Sequence, residues 1–256
     1  MKHLGVIGGL GPMATAYFLE LVVKMTDVKT DQEHLPVTVL NRPAIPDRTA
    51  YILGKSEESP LPAIIQHAKE LQNFGASCIA IPCITSHYFY DEFSRSVDIP
   101  IINIVAETAA YLKAHGIQKA GIMATTGTIS TNLFQAALNQ KSIGWVIPSD
   151  EGQQKVMHLI YGNVKAGLPV ETELFREVSE ELREMGSECI ILGCTELSLI
   201  KRDYPIGSGY LDALEVLAMC SVTQCKKPLK PQYQNLLTAE TAGRLQNFTS
   251  GAQAGR

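Results

Sequence analysis

Charge is sparse in this sequence: Asp, Glu, Lys and Arg make up 19% of its 256 residues, below the roughly 25% of an average soluble domain. A basic excess is also missing. Lys and Arg number 22 against 26 Asp and Glu, a net charge of −4, so nothing is set up to neutralise a phosphate backbone and nucleic-acid binding is a poor first reading. Long apolar runs are absent too. Stretches such as Ile117–Ala124, interrupted by Gln118 and Lys119, fall far short of the roughly 18 residues that a membrane span needs. Met1-Lys2-His3-Leu4 leads into glycines and Pro12 rather than an apolar segment with a cleavage site, so no secretory signal is expected. No Gly/Ser-rich or Pro-rich linker divides the chain. The expectation is a soluble, cytoplasmic, globular protein of one large or two small domains.

Six cysteines are present: Cys78, Cys83, Cys189, Cys194, Cys220 and Cys225. A disulfide framework suits short secreted chains, which this is not. Each successive pair is separated by four residues, but structural zinc sites sit in short loop-rich modules. Cys78 and Cys189 instead open apolar, strand-like runs, where free Cys behaves as a small buried hydrophobe. Cys220 and Cys225 flank the end of a predicted helix and receive no role. Cys83 and Cys194 fall just past their strands, beside Thr, where α/β folds place chemistry.

Short β-branched runs alternate with amphipathic stretches. Strands are predicted near 3–8, 37–40, 77–81, 100–103, 119–124, 143–147 and 188–192. Helices are predicted near 12–26, 60–74, 88–96, 104–115, 129–140, 150–166, 171–185 and 210–223, with a further amphipathic stretch over Asn235–Phe248. This alternation implies an α/β fold of parallel sheets covered on both faces.

The chain also resembles itself. Gly75-Ala-Ser-Cys78-Ile-Ala-Ile-Pro-Cys83-Ile-Thr85 aligns with Gly186-Ser-Glu-Cys189-Ile-Ile-Leu-Gly-Cys194-Thr195, and both cysteine pairs lie 111 positions apart. Gly5, Gly11, Thr15 and Phe18 match Gly121, Gly127, Thr131 and Phe134 at an offset of 116. We therefore expect two similar α/β domains with a cleft between them. Residues 1–102 with 209–227 form the first, 103–208 the second, and 228–256 a C-terminal extension.

Two kinds of loop carry possible chemistry. Gly8-Gly9-Leu10-Gly11-Pro12-Met13-Ala14 follows a strand and opens a helix, as a dinucleotide fingerprint does. The second strand, however, ends Leu40-Asn41-Arg42-Pro43, with no acidic residue to hold a ribose. The equivalent loop, Thr125-Thr126-Gly127-Thr128, is no fingerprint either. Both loops keep amides and hydroxyls at a helix start, suited to a small anion such as a carboxylate. The cysteine loops are more specific. Each pairs a thiol with a hydroxyl (Cys83 with Thr85, Cys194 with Thr195) near a helix start, which favours thiolate. Thiols at equivalent positions of two related halves would face each other across the cleft. That geometry removes a proton from one face of a carbon and returns one to the other.

These residues closely resemble the cofactor-independent aspartate/glutamate racemase family, its aspartate racemase branch most nearly. The resemblance rests on Gly8-Gly9-Leu10-Gly11-Pro12, Pro46-Asp47-Arg48-Thr49, Ile81-Pro82-Cys83 with Thr85 and His87, and Leu192-Gly193-Cys194-Thr195-Glu196-Leu197. It covers residues 1 to about 225. It implies two α/β domains related by a pseudo-twofold axis, an interdomain active site, no pyridoxal phosphate, no metal and often a homodimer. Carried over by position, Cys83 and Cys194 resemble the two acid/base thiols. Thr85, Thr125, Thr126, Thr128 and Thr195, with Gly11 at its helix start, resemble groups that bind the substrate carboxylate. Arg48 and Lys165 match basic residues that receive the distal carboxylate of an acidic substrate. Glu196 either orients Cys194 or caps the helix beginning there, and His87 is a structural residue. One position departs from the pattern: Ile84 stands where the family usually has Asn, which places the substrate's identity in question. The expected activity is racemisation of aspartate, then glutamate. The alternatives are another small-diacid isomerase or decarboxylase of the superfamily, a non-catalytic amino-acid binding protein, or a redox or metal site.

Overall fold

The computed structural model describes residues 2–237. The helix expected over Asn235–Phe248 lies, beyond Leu237, outside the described residues. The chain begins with β1 (Leu4–Gly8), α1 (Pro12–Met25), β2 (Val37–Asn41), α2 (Arg48–Ile52), α3 (Leu61–Asn73) and β3 (Cys78–Ala80). A short 3-10 turn, Thr85–Phe89, leads into α4 (Tyr90–Ser94) and α5 (Ile104–Ala114). Next come β4 (Lys119–Ala124), α6 (Thr126–Ser130), α7 (Leu133–Gln140), β5 (Gly144–Val146) and α8 (Asp150–Met157). After α9 (Thr172–Glu184) follow β6 (Cys189–Gly193), α10 (Thr195–Asp203), β7 (Tyr210–Asp212) and α11 (Ala213–Gln224).

The strands form two all-parallel sheets, ordered β2-β1-β3 and β5-β4-β6-β7. Their registers repeat. Leu4 pairs with Cys78 in the first sheet and Ala120 with Cys189 in the second, positions related by the same offsets of 116 and 111 read from the sequence. β1, β3 and β6 are buried at every residue, as strands of parallel sheets covered on both faces must be.

One matched glycine explains why the helices sit so close to these sheets. A Cβ on Gly5 would lie 3.1 Å from Leu71 and from Ala76, and one on Gly121 would lie 3.2 Å from Leu182 and from Ser187. The contacted residues are themselves related by the repeat, so α3 and α9 dock over β1 and β4 in the same way. A methyl group in either place would be tighter than ordinary contact, and its neighbours would have to give by a few tenths of an ångström.

The halves share one core. A continuous set of buried side chains runs from Leu4, Phe18 and Met25 through Leu112, Ile122 and Phe134 to Leu214 and Leu217. α11 packs on α1 and α5, and α5 packs on α7. α11 is buried nearly all round, as a helix without a polar face must be.

The structure differs from the sequence expectation in several elements. The strand expected at 100–103 shrinks to a single bridge between Ile79 and Ile101. The helix expected over 129–140 is interrupted at Asn132, which adopts φ +56 between α6 and α7. The stretch 150–166 changes from α8 to a π-helical segment at His158–Val164. Residues 209–227, expected with the first half, divide. Tyr210–Asp212 extends the second sheet as β7, whereas α11 lies against α1 and α5.

Candidate active site

The thiols of interest leave the C-terminal ends of β3 and β6, where parallel sheets expose their loops to ligands. Cys194 is the cap residue of α10, with extended backbone and its carbonyl accepting from Leu197 N–H at 2.9 Å. Cys83 sits one residue before the residue that caps the Thr85–Phe89 turn. Its carbonyl accepts from the Ser86 hydroxyl at 2.7 Å and from His87 Nδ1 at 2.9 Å. The His87 ring stacks on Tyr90 and meets Phe93 edge-on, and burial lowers its pKa. His87 thus braces the backbone of the Cys83 loop.

Both cysteines line a single closed cavity of about 10 Å³, together with Arg48, Thr85, Thr125, Lys165, Thr195 and Glu196. That volume holds at most about one water molecule. The walls formed by Leu10, Asp47, Arg48, Lys165 and Glu196 are shared with a cleft of about 620 Å³, within the size range of small-molecule sites. Gly11 lines this larger cleft at the start of α1, and a Cβ there would lie 3.4 Å from Glu196 Oε1.

The hydroxyls of Thr85, Thr125 and Thr128 form a triangle with edges of 3.0, 3.0 and 3.1 Å. Thr85 and Thr125 face the cavity, and Thr128 supports them from a fully buried position. Thr126 is placed elsewhere. Its hydroxyl accepts from Gln153 Nε2 at 3.2 Å and its N–H meets the Met157 sulfur, so it turns toward α8.

The charged residues divide between the thiols. Arg48 is 7% exposed and donates to the carbonyls of Leu10 at 2.7 Å, Pro46 at 3.1 Å and Ile45 at 3.4 Å, while its Nε is buried without a partner. Burial alone would depress the Arg48 pKa, but the nearby Cys83 sulfur and the Asp47 carboxylate outweigh it and hold the guanidinium above its ordinary value. On the other side, the Cys194 thiol donates to Glu196 Oε2 at 2.9 Å and the Thr195 hydroxyl reaches the same oxygen at 3.3 Å. Lys165 pairs with Glu196 Oε1 at 3.3 Å and lies over the Tyr161 ring. Burial opposes its charge, but Glu196 and Cys194 outweigh burial and keep the ammonium protonated.

Cys194 corrects the expectation of an easily ionised thiol. Burial, followed by the charge of Glu196 and the hydrogen bond to it, raises the thiol well above its ordinary value, with Lys165 only partly opposing. A helix start favours thiolate by a fraction of a charge, and a full carboxylate at hydrogen-bond distance overrides it.

Tyr161 and Asp47 are polar cavity residues to which the sequence reading gave no role. Tyr161, on the π-helical segment, donates to Asp47 Oδ2 at 3.3 Å, and burial pushes its phenol up to about 12. Its spacing of four from Lys165 is a signal that both share a helix face. Asp47 caps α2 by accepting from Ala50 N–H at 2.7 Å, which fixes Arg48 at the first position of that helix. Among the described residues no group of three or more His, Cys, Asp or Glu is placed to hold a metal ion, and no helix is long and apolar enough to cross a membrane.

The pattern of the Asp/Glu/hydantoin racemase family matches residues 7–218. The chain belongs to this family. It is a racemase by descent, and thus an isomerase. The aspartate racemase of Picrophilus torridus is 32% identical and superposes with a TM-score of 0.79, covering 91% of this chain and 98% of that one. The broad specificity amino-acid racemase RacX of Bacillus subtilis is 27% identical over 227 residues, covering 86% of this racemase and 96% of RacX. A glutamate racemase of Aquifex aeolicus is 26% identical over 215 residues, covering 78% and 80% of the two chains.

Proposed function

We propose that this racemase interconverts L- and D-aspartate, with glutamate second, by a two-cysteine proton transfer at the α-carbon. The observation that carries the reading is the shared cavity: Cys83 and Cys194, supplied by equivalent loops, line one enclosed space with hydroxyls and two cations. Substrate enters from the 620 Å³ cleft, and its binding displaces the walls that now close the smaller chamber. The α-carboxylate is received by the Thr85 and Thr125 hydroxyls and by Thr195. Arg48, through its unpartnered Nε, and Lys165 receive the side-chain carboxylate.

Cys194 holds its proton against Glu196. In this resting arrangement Cys194 is the proton donor, and abstraction falls to Cys83. Reversal exchanges the roles. The α-proton is weakly acidic, so the carbanion-like state depends on charges and donors fixed in advance. No bound cofactor enters these steps, and a homodimer is the proposed assembly, which analytical ultracentrifugation tests.

Chiral chromatography of the full-length protein incubated with each enantiomer of aspartate and glutamate tests the activity. Inversion of aspartate is expected, and inversion of neither acid overturns the substrate assignment. A second reading, a racemase acting on uncharged amino acids, is favoured by three observations. Arg48 already donates to three carbonyls, Lys165 already pairs with Glu196, and Ile84 contributes an apolar wall. A panel of amino acids in the same assay separates the two.

A further inference from the structure

Away from the catalytic cavity, a second pair of sulfur atoms meets. Cys78, which opens β3, and Cys225, which ends α11, place their sulfurs 3.4 Å apart in a buried contact. The two residues are 147 positions apart in the chain. Duplication does not account for the pair. Cys189 is the repeat partner of Cys78, yet its sulfur meets backbone groups of Ile190 and Leu211, with no second thiol in hydrogen-bonding reach among the described residues.

The contact also has an approach from solvent. Cys225 lines an open depression of about 560 Å³ whose other walls are Lys2, Ser77, Lys226 and Lys227. Cys78 does not line it. Both residues are 3% exposed, but only Cys225 borders the lysine-rimmed opening.

We propose that Cys78 and Cys225 form an oxidisable dithiol, which a peroxide converts to an intramolecular disulfide tying β3 to the end of α11. Cys225, as thiolate, attacks the peroxide, breaking its O–O bond to give a sulfenic acid and, with a proton, water. The Cys78 thiol then attacks the Cys225 sulfur, forming the S–S bond and releasing a second water. Two thiols and one hydrogen peroxide give one disulfide and two waters, the cysteines losing the two electrons that the peroxide gains. Small thiol reductants reverse the bond by exchange. The order of attack agrees with the local charges. The contact with Cys78 and the nearby Lys2 lower Cys225 against the effect of burial. The same contact, together with burial, raises Cys78 and keeps it a thiol. The cross-link restrains the unfolded chain across a long loop and so stabilises the fold.

The test treats the full-length reduced protein with one equivalent of hydrogen peroxide, alkylates it, and maps non-reduced peptides by mass spectrometry. The expected result is a linked peptide containing Cys78 and Cys225, the loss of these two of the six free thiols, and their recovery with dithiothreitol. The unfolding temperature rises on oxidation of the wild type and not of Cys225→Ser, whose folding is checked by circular dichroism. Cys78 still alkylated after the peroxide is consumed, Cys225 trapped as sulfinic acid, or oxidation confined to Cys83 and Cys194 would each overturn the proposal. Mapping of the wild type decides the outcome whether or not the variant folds.

Discussion

The loops after β3 and β6 are built alike and charged differently. Each follows a buried parallel strand of matching register, and each brings a cysteine and a threonine to the same cavity. Cys83, however, faces the Arg48 guanidinium, whereas Cys194 donates its proton to the Glu196 carboxylate. Backbone geometry followed the duplication: the registers match, and Gly5 and Gly121 admit equivalent helices close to their strands. The charge around each sulfur is set by side chains outside the repeat. The two thiols therefore sit in matched backbone settings beside differently charged neighbours.

The comparison is best broken at the thiols themselves. Cys83→Ala and Cys194→Ala are each expected to lower kcat for racemisation by about 10²–10⁴-fold, the usual worth of a positioned acid or base; a variant with near-wild-type kcat removes its thiol from the scheme. The framework comes next. Gly5→Ala and Gly121→Ala are expected to cost about 1–3 kcal/mol each and by similar amounts, because their crowded neighbours are equivalent. Denaturant unfolding checks this, and a strong inequality would break the structural symmetry. Glu196→Gln then tests the chemical asymmetry. Removing the carboxylate lowers the Cys194 pKa, and iodoacetamide should alkylate Cys194 about tenfold faster at neutral pH because more of it is thiolate. Alkylation of Cys83 should change little.

The smallest effect concerns alkaline pH. The folded state raises the Cys194 pKa, so its stabilising contribution is complete below the ordinary thiol value of about 8.5 and is lost as pH rises above it. The wild type should therefore lose stability relative to Cys194→Ser above that pH, by at most about 1.4 kcal/mol per pH unit.

The central strands were legible because Leu4–Gly8, Lys119–Ala124 and Cys189–Gly193 are apolar runs bounded by glycine or polar residues. The repeat went further, since its offsets relate the positions that pair in one sheet to those that pair in the other. β7 was not legible. Its three residues pass directly into the apolar α11, and Asp212 serves both as strand end and as helix cap, its carboxylate accepting from Leu214 N–H at 2.8 Å. α10 was not delimited for a related reason: Thr195 through Ile200 are all buried, so no polar face shows a helical period. The cysteines and threonines of the site were readable from matched blocks. The partnership of Cys194 with Glu196 and the seating of Arg48 among three carbonyls were not, because side-chain direction decides them.

The central claim is that two sulfurs act on opposite faces of one carbon. Early-time racemisation of a single aspartate enantiomer in deuterium oxide, followed by chiral separation and mass spectrometry, tests it most directly. Two bases predict α-deuterium in the inverted product and none in the unreacted substrate. Product that keeps the original α-proton, or deuterium appearing equally in both enantiomers, would contradict it.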